Sequence, residues 1–131
     1  LATLFLHNNH LSGTIPKRLA TFSSLVTMNL GCNQLVGTVP SELAKITGLT
    51  YISLHTNQLT GMIPDGFAAS SNLLSISLHS NRFTGTIPQN LHHLSNLTYM
   101  CVDNNQLTGT IPSEIALLTC LSVMLDILAR H

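Results

Sequence analysis

The chain has 131 residues, only 8% of them charged, and no formal net charge with histidine neutral; soluble domains usually carry about a quarter charged residues. That balance leaves no basic stripe for nucleic acid. No apolar run is long enough to cross a membrane, since the closest, Ile115 to Ala129, is broken by Thr119, Cys120, Ser122 and Asp126.

Pro16, Pro40, Pro64, Pro88 and Pro112 follow one another at a constant interval of 24 residues. A fixed period of this size means stacked structural repeats. Leu25 to Gly48 reads LVTMNLGCNQLVGTVPSELAKITG, and Leu97 to Cys120 reads LTYMCVDNNQLTGTIPSEIALLTC. Each repeat opens on alternating apolar and polar residues, which predicts a strand with one buried side. Leu49, Ile52 and Leu54 then point inward, as do Leu73, Ile76 and Leu78. Next comes an asparagine, at Asn9, Asn33, Asn57, Asn81 and Asn105. Stacked, these amides would form a ladder that satisfies backbone groups of their own and neighbouring coils. Gly13, Gly37, Gly61, Gly85 and Gly109 suit tight packing or a special backbone angle. Each proline belongs at a strand edge or at the first turn of a short helix. Leu19, Leu43, Phe67, Leu91 and Ile115 follow and would fill the convex side of the core.

One such unit cannot bury its apolar side, whereas a stack of three or more can. Five full repeats occupy residues 1–120, and 121–131 reads as a degenerate C-terminal capping segment. There Asp126 stands where an apolar residue is needed, and Ala129 where asparagine is needed. The spacing of Leu121, Met124, Leu125 and Leu128 predicts a short closing helix.

The columns L-x-x-L-x-L-x-x-N-x-L and G-x-[I/V]-P, with LTGTIPSEI at Leu107 to Ile115 as an instance, closely resemble the plant-type leucine-rich repeat. The resemblance implies an α/β solenoid. Its coils would form a right-handed superhelix of five 24-residue repeats and a C-terminal segment, with a parallel β-sheet on the concave face. The family includes receptor-like ectodomains and inhibitors of the cell-wall enzyme polygalacturonase. It therefore implies a non-catalytic, extracellular or cell-surface module with a protein, peptide or polysaccharide partner and no cofactor. The chain begins on the first leucine of a repeat, without the cysteine-bearing cap of similar extracellular proteins. It is expected to be a fragment or an array whose cap is missing, and a bare end layer invites end-to-end association.

Cys32, Cys101 and Cys120 sit in different columns, so no repeated disulfide pattern exists. Cys32 and Cys101 lie three repeats apart, too far to bridge. Asn96-Leu97-Thr98 is a glycosylation acceptor pattern. There is no G-x-S-x-G, no phosphate loop and no zinc-type Cys or His pair, and His92-His93 reads as two surface histidines.

Two surfaces remain. The outward strand columns hold Thr3, Thr27, Tyr51, Ser75 and Tyr99; Phe5, Asn29, Ser53, Ser77 and Cys101; and His7, Gly31, His55, His79 and Asp103. Ligand-binding candidates among them are Phe5, His7, Asn29, Tyr51, Ser53, His55, Ser77, His79, Tyr99 and Asp103. The row His55, His79 and Asp103 reads as drift on a solvent face, as a pH-sensitive polar anchor, or as a zinc ligand set; no metal is assigned to it. The alternative surface flanks the glycines: Ser12 and Thr14, Val36 and Thr38, Thr60 and Met62, Thr84 and Thr86, Thr108 and Thr110. Stacked at the 24-residue interval, these would make a two-column, largely threonine grid like those of ice-binding solenoids. The β-propensity of threonine alone also accounts for the enrichment.

Overall fold

The alternating segments pair edge to edge. In the computed structural model, which describes residues 1–119 and Val123–Met124, they form a six-stranded parallel sheet. Its strands are Thr3–Phe5, Thr27–Asn29, Tyr51–Ser53, Ser75–Ser77, Tyr99–Cys101 and Val123–Met124. The register follows the sequence period, with Thr27 opposite Tyr51, Tyr51 opposite Ser75, and Ser75 opposite Tyr99. Five-residue 3-10 helices follow the prolines at Lys17–Thr21, Ser41–Lys45, Asp65–Ala69, Gln89–His93 and Ser113–Leu117. Each proline stands just before its helix with φ between −58° and −68°. Its carbonyl accepts the N–H three residues on, as Leu43 N–H to Pro40 O at 3.1 Å shows. That tight i to i+3 bond suits a helix too short for α geometry. Between sheet and helices lies the core, with Leu49, Ile52, Leu54, Leu73, Ile76 and Leu78 all buried. Leu43, Phe67, Leu91 and Ile115 fill its convex side.

The asparagines tie coil to coil. Asn81 Nδ2 donates to Leu54 O at 3.0 Å in the preceding coil, and to Leu78 O at 3.1 Å and His79 O at 3.3 Å in its own. Its Oδ1 accepts the Leu59 N–H at 3.0 Å. Asn57 and Asn105 repeat the arrangement. The residue before each asparagine turns left-handed, with φ of 57°, 54°, 53°, 56° and 53° at Asn8, Cys32, Thr56, Ser80 and Asn104. For the β-branched Thr56 this is a costly conformation. It persists because the following amide fixes the turn from four sides.

A second parallel sheet joins Ser12–Thr14, Gln34–Thr38 and Gln58–Thr60. Here the register is not the sequence period. Thr14 lies opposite Val36 and Thr38 opposite Thr60, a step of 22. The amide ladder imposes the step, because Asn57 takes the N–H of Leu35, also 22 residues away. Gly61 has φ +76°, and a Cβ there would stand 2.8 Å from Thr38 Cγ2. Only glycine meets both demands.

Met124 departs from the helix expected over the last segment. Val123 and Met124 continue the concave sheet, opposite Tyr99 and Met100. The edge of the Tyr99–Cys101 strand offers unpaired backbone groups at the interval where these two residues arrive, and ladder bonds satisfy them. The rest of the expected capping segment lies outside the described residues. Among those described, no helix is long and apolar enough to cross a membrane.

Asn81→Ala removes one acceptor and three donor bonds from a buried site and should cost about 2–4 kcal/mol. The Asn9 side chain donates to Leu6 O and His7 O of its own coil, at the exposed end. Asn9→Ala should therefore cost under about 1 kcal/mol. Urea denaturation checks both, and equal losses would contradict the ladder as the inter-coil tie.

Candidate functional site

Strand alternation sends three columns to the concave face, but they are not equally presented. The middle column is buried in its last three coils, where Ser53 is 0%, Ser77 6% and Cys101 3% exposed, while Phe5 at the first coil is 59% exposed. Side chains two apart on a strand share a face, so each of these small residues lies between larger neighbours. Tyr51 and Tyr99 stand on one side, His55, His79 and Asp103 on the other. The face is thus a furrow with small residues as its floor. Ser53 and Ser77, named as contact candidates from the sequence, belong to that floor. Asn29 is half-buried, and its Oδ1 accepts the Gly31 N–H at 3.1 Å.

The histidine wall has an order of its own. Gly31 leaves room that the His55 ring occupies: a Cβ on Gly31 would stand 2.7 Å from His55 Nε2. His79 stacks on His55, with centroids 4.7 Å apart and planes 6° apart. Burial pushes the His55 imidazole below its ordinary pKa, and the neighbouring His79 and His7 push the same way. His55 is therefore held neutral at pH values where a free imidazole would begin to charge. His7 stands apart at the exposed end, edge-on to Phe5 at 6.1 Å.

Asp103, beside the stack, makes its hydrogen bonds within its own coil. Its Oδ1 accepts the Cys101 thiol proton at 2.8 Å, and its Oδ2 accepts Asn104 Nδ2 at 2.7 Å. Burial, then the Asp103 hydrogen bond, pushes the Cys101 thiol up to about 11. Tyr99 is raised too, first by its hydrogen bond with Cys101 and then by burial. The Cys101–Asp103 contact was missed because it crosses between columns that the sequence treats separately. A polar pair at i and i+2 on a strand is the signal that could have found it. Cys32 and Cys101 are both free thiols.

The threonine surface differs from the grid expected. The step of 22 sets Thr38 beside Thr60 and Met62 beside Thr84, so each row joins the residue after one glycine to the residue before the next. Thr84 and Thr108 turn their hydroxyls to the carbonyls of Gly61 and Gly85, each at 3.3 Å. Val36 and Met62 interrupt the array, and both are exposed. Ser12, Thr14, Thr86 and Thr110 are exposed as well. Between this sheet and the 3-10 helices runs an open groove of about 870 Å³, lined by Met62, Pro64, Thr86, Pro88, Asn90 and Pro112 among others. Asn96 is exposed, its Nδ2 donating to Ser71 O at 3.2 Å. His93 is exposed and His92 partly so, with Nδ1 of His92 2.7 Å from Gln89 O.

Two family models described as leucine rich repeat match the chain, one over residues 47–107 and one over 1–22 and 24–46. The chain belongs to the leucine-rich-repeat family. No curated protein matches it. Among solved structures it is similar to the plant peptide hormone receptor RGFR1 in complex with RGF2, at 38% identity and a TM-score of 0.90, covering 92% of this chain and 19% of that one. It is similar to the Arabidopsis receptor kinase HAESA in complex with the peptide hormone IDA and the co-receptor SERK1, at 31% identity and a TM-score of 0.91, covering 95% of this chain and 21% of that one. The ectodomain of the receptor kinase SOBIR1 from Arabidopsis thaliana matches at 33% identity and a TM-score of 0.83, covering 88% of this chain and 62% of that one. This leucine-rich-repeat chain thus spans about a fifth of the two longer ectodomains and under two thirds of the shorter.

Gly31→Ala should turn the His55 ring and, with it, the stacked His79 ring. The φ of Gly31 needs no left-handed freedom, so stability should fall by less than about 1 kcal/mol. Imidazole NMR resonances check this. Unshifted His55 and His79 signals would contradict the packing of His55 over Gly31.

Proposed function

We propose that this chain is a non-catalytic recognition segment of an extracellular leucine-rich-repeat array, and that it binds an extended peptide along the concave furrow. The observation that carries the reading is the wall geometry. Tyr51, Ser75 and Tyr99 lie in register, with the small Ser75 between two rings. Strand spacing puts those rings about 10 Å apart, the length of about three extended residues. Tyrosine suits such anchoring, having a large apolar ring and one polar tip. A floor of Ser53, Ser77 and Cys101 lets a backbone approach closely.

Two further considerations support it. Similar ectodomains were solved as complexes with peptide hormones. The Cys101 thiol, held protonated, is the reverse of an activated nucleophile. The ice-binding alternative is disfavoured by the stagger and by Val36 and Met62, which deny it a flat threonine lattice. In an extracellular setting the exposed Asn96 is the proposed glycan acceptor.

Selection of a displayed peptide library against the full chain tests the main reading. Selected peptides should lose at least about tenfold in affinity on Tyr51→Ala, His55→Ala or Tyr99→Ala. Thr86→Lys and Thr110→Lys should leave them unchanged. The opposite sensitivity would overturn the concave site. Thermal hysteresis abolished by the threonine changes would move function to the other sheet. An oligosaccharide array that binds where peptides do not would make the ligand a polysaccharide.

A further inference from the structure

The concave face also holds a set of donors that peptide recognition does not require. His79, Cys101 and Asp103 each present a ligand atom, and these atoms all lie within 4.8 Å of one another. Cys101 closes its strand, Asp103 follows two residues on, and His79 comes from the neighbouring coil. We propose that His79, Cys101 and Asp103 form a binding site for a single zinc ion where one wall of the furrow meets its floor. The site does not depend on peptide binding.

Donor chemistry selects the ion. One thiolate, one imidazole and one carboxylate suit zinc, whereas calcium and magnesium prefer all-oxygen shells. Thiolate and carboxylate together balance the two positive charges. Tetrahedral zinc, with bonds of about 2.0–2.3 Å, places its ligand atoms roughly 3.3–3.8 Å apart. The donor atoms, now within 4.8 Å of one another, would draw closer to that spacing around the ion.

Surrounding groups already orient the donors. Asn104 Nδ2 holds Asp103 Oδ2 at 2.7 Å and leaves Oδ1 facing Cys101. Ser80 Oγ lies 3.3 Å from His79 Nδ1 and helps to hold the ring in place. Such outer contacts fix ring orientation and raise affinity in zinc sites. The backbone beneath is fixed as well, because the left-handed Asn104 is held by Asn105 and its ladder bonds. On binding, the Cys101 S–H bond breaks, its proton leaves to solvent, and a sulfur–zinc bond replaces the 2.8 Å thiol contact with Asp103. Three protein donors leave a fourth position open to water.

Titration of the full, untagged chain with Co²⁺ alone, followed by Zn²⁺, tests this. One equivalent of Co²⁺ should produce thiolate-to-cobalt charge-transfer absorption, and Zn²⁺ should bleach it. The band should vanish in Cys101→Ser. Co²⁺ affinity should fall at least about tenfold in His79→Ala and in Asp103→Asn. Cys32→Ser should keep the band, although Cys32 Sγ lies 3.8 Å from His55 Nδ1. Absence of the band in the parent chain, its survival in Cys101→Ser, or its loss in Cys32→Ser would each overturn the proposal. Circular dichroism reports whether Cys101→Ser folds. If it does not, the partly exposed His79 decides, and unchanged affinity in a folded His79→Ala overturns the site.

Discussion

Everything in this array hangs on one amide per coil. A strand, a turn and a 3-10 helix leave backbone groups pointing into the solenoid with no partner in their own element, and a buried unpaired group costs about 1–3 kcal/mol. The asparagine closes that deficit. One oxygen and two hydrogens on a short side chain reach three carbonyls and one N–H across two coils. Aspartate has the shape without the donors, and leucine the bulk without either. From this follow the left-handed residue before the amide and the 22-residue step of the second sheet. The apolar core supplies most of the favourable free energy of folding, while the amide ladder sets where each coil sits on the next.

Much of this was legible in the sequence, for physical reasons. A 24-residue period can be read directly because each coil meets the same environment as its neighbour, so core leucines, asparagines and prolines recur in fixed columns. The assignment of Ile52, Leu54, Ile76 and Leu78 to the core follows from alternation alone. Lateral register on the second sheet does not, since a column in the sequence is not a row in space. Thr38 aligns with Met62 on paper and with Thr60 in the fold. The floor of the furrow was hidden for a different reason. Alternation says which face Ser53 shares with Tyr51 and His55, but whether water reaches it depends on the size of its flanking columns. At Met124, helical spacing lost to strand pairing, a tertiary partner that local pattern cannot register.

The concave face is electrically quiet. Burial and a stacked neighbour keep His55 toward its neutral form, the Cys101 proton is retained, and Asp103 is occupied by Cys101 and Asn104. Recognition on such a surface depends on fit and hydrogen bonding more than on long-range attraction. Charge steering, which raises association rates steeply elsewhere, has little to act on. Selectivity then rests on which side chains fit beside Tyr51 and Tyr99, and on the polar rim beyond them.

The amide ladder also bears on how such a chain can change over generations. Each packing partnership runs between neighbouring coils, strand to strand and helix to helix. A duplication or deletion of one whole 24-residue unit, wherever its breakpoints fall within the repeat, returns every asparagine to a coil that can receive it. An insertion of one residue would not. The genome is thus free to lengthen, shorten or reshuffle the array in units of that size, while substitutions in the outward columns alter what each added coil reads.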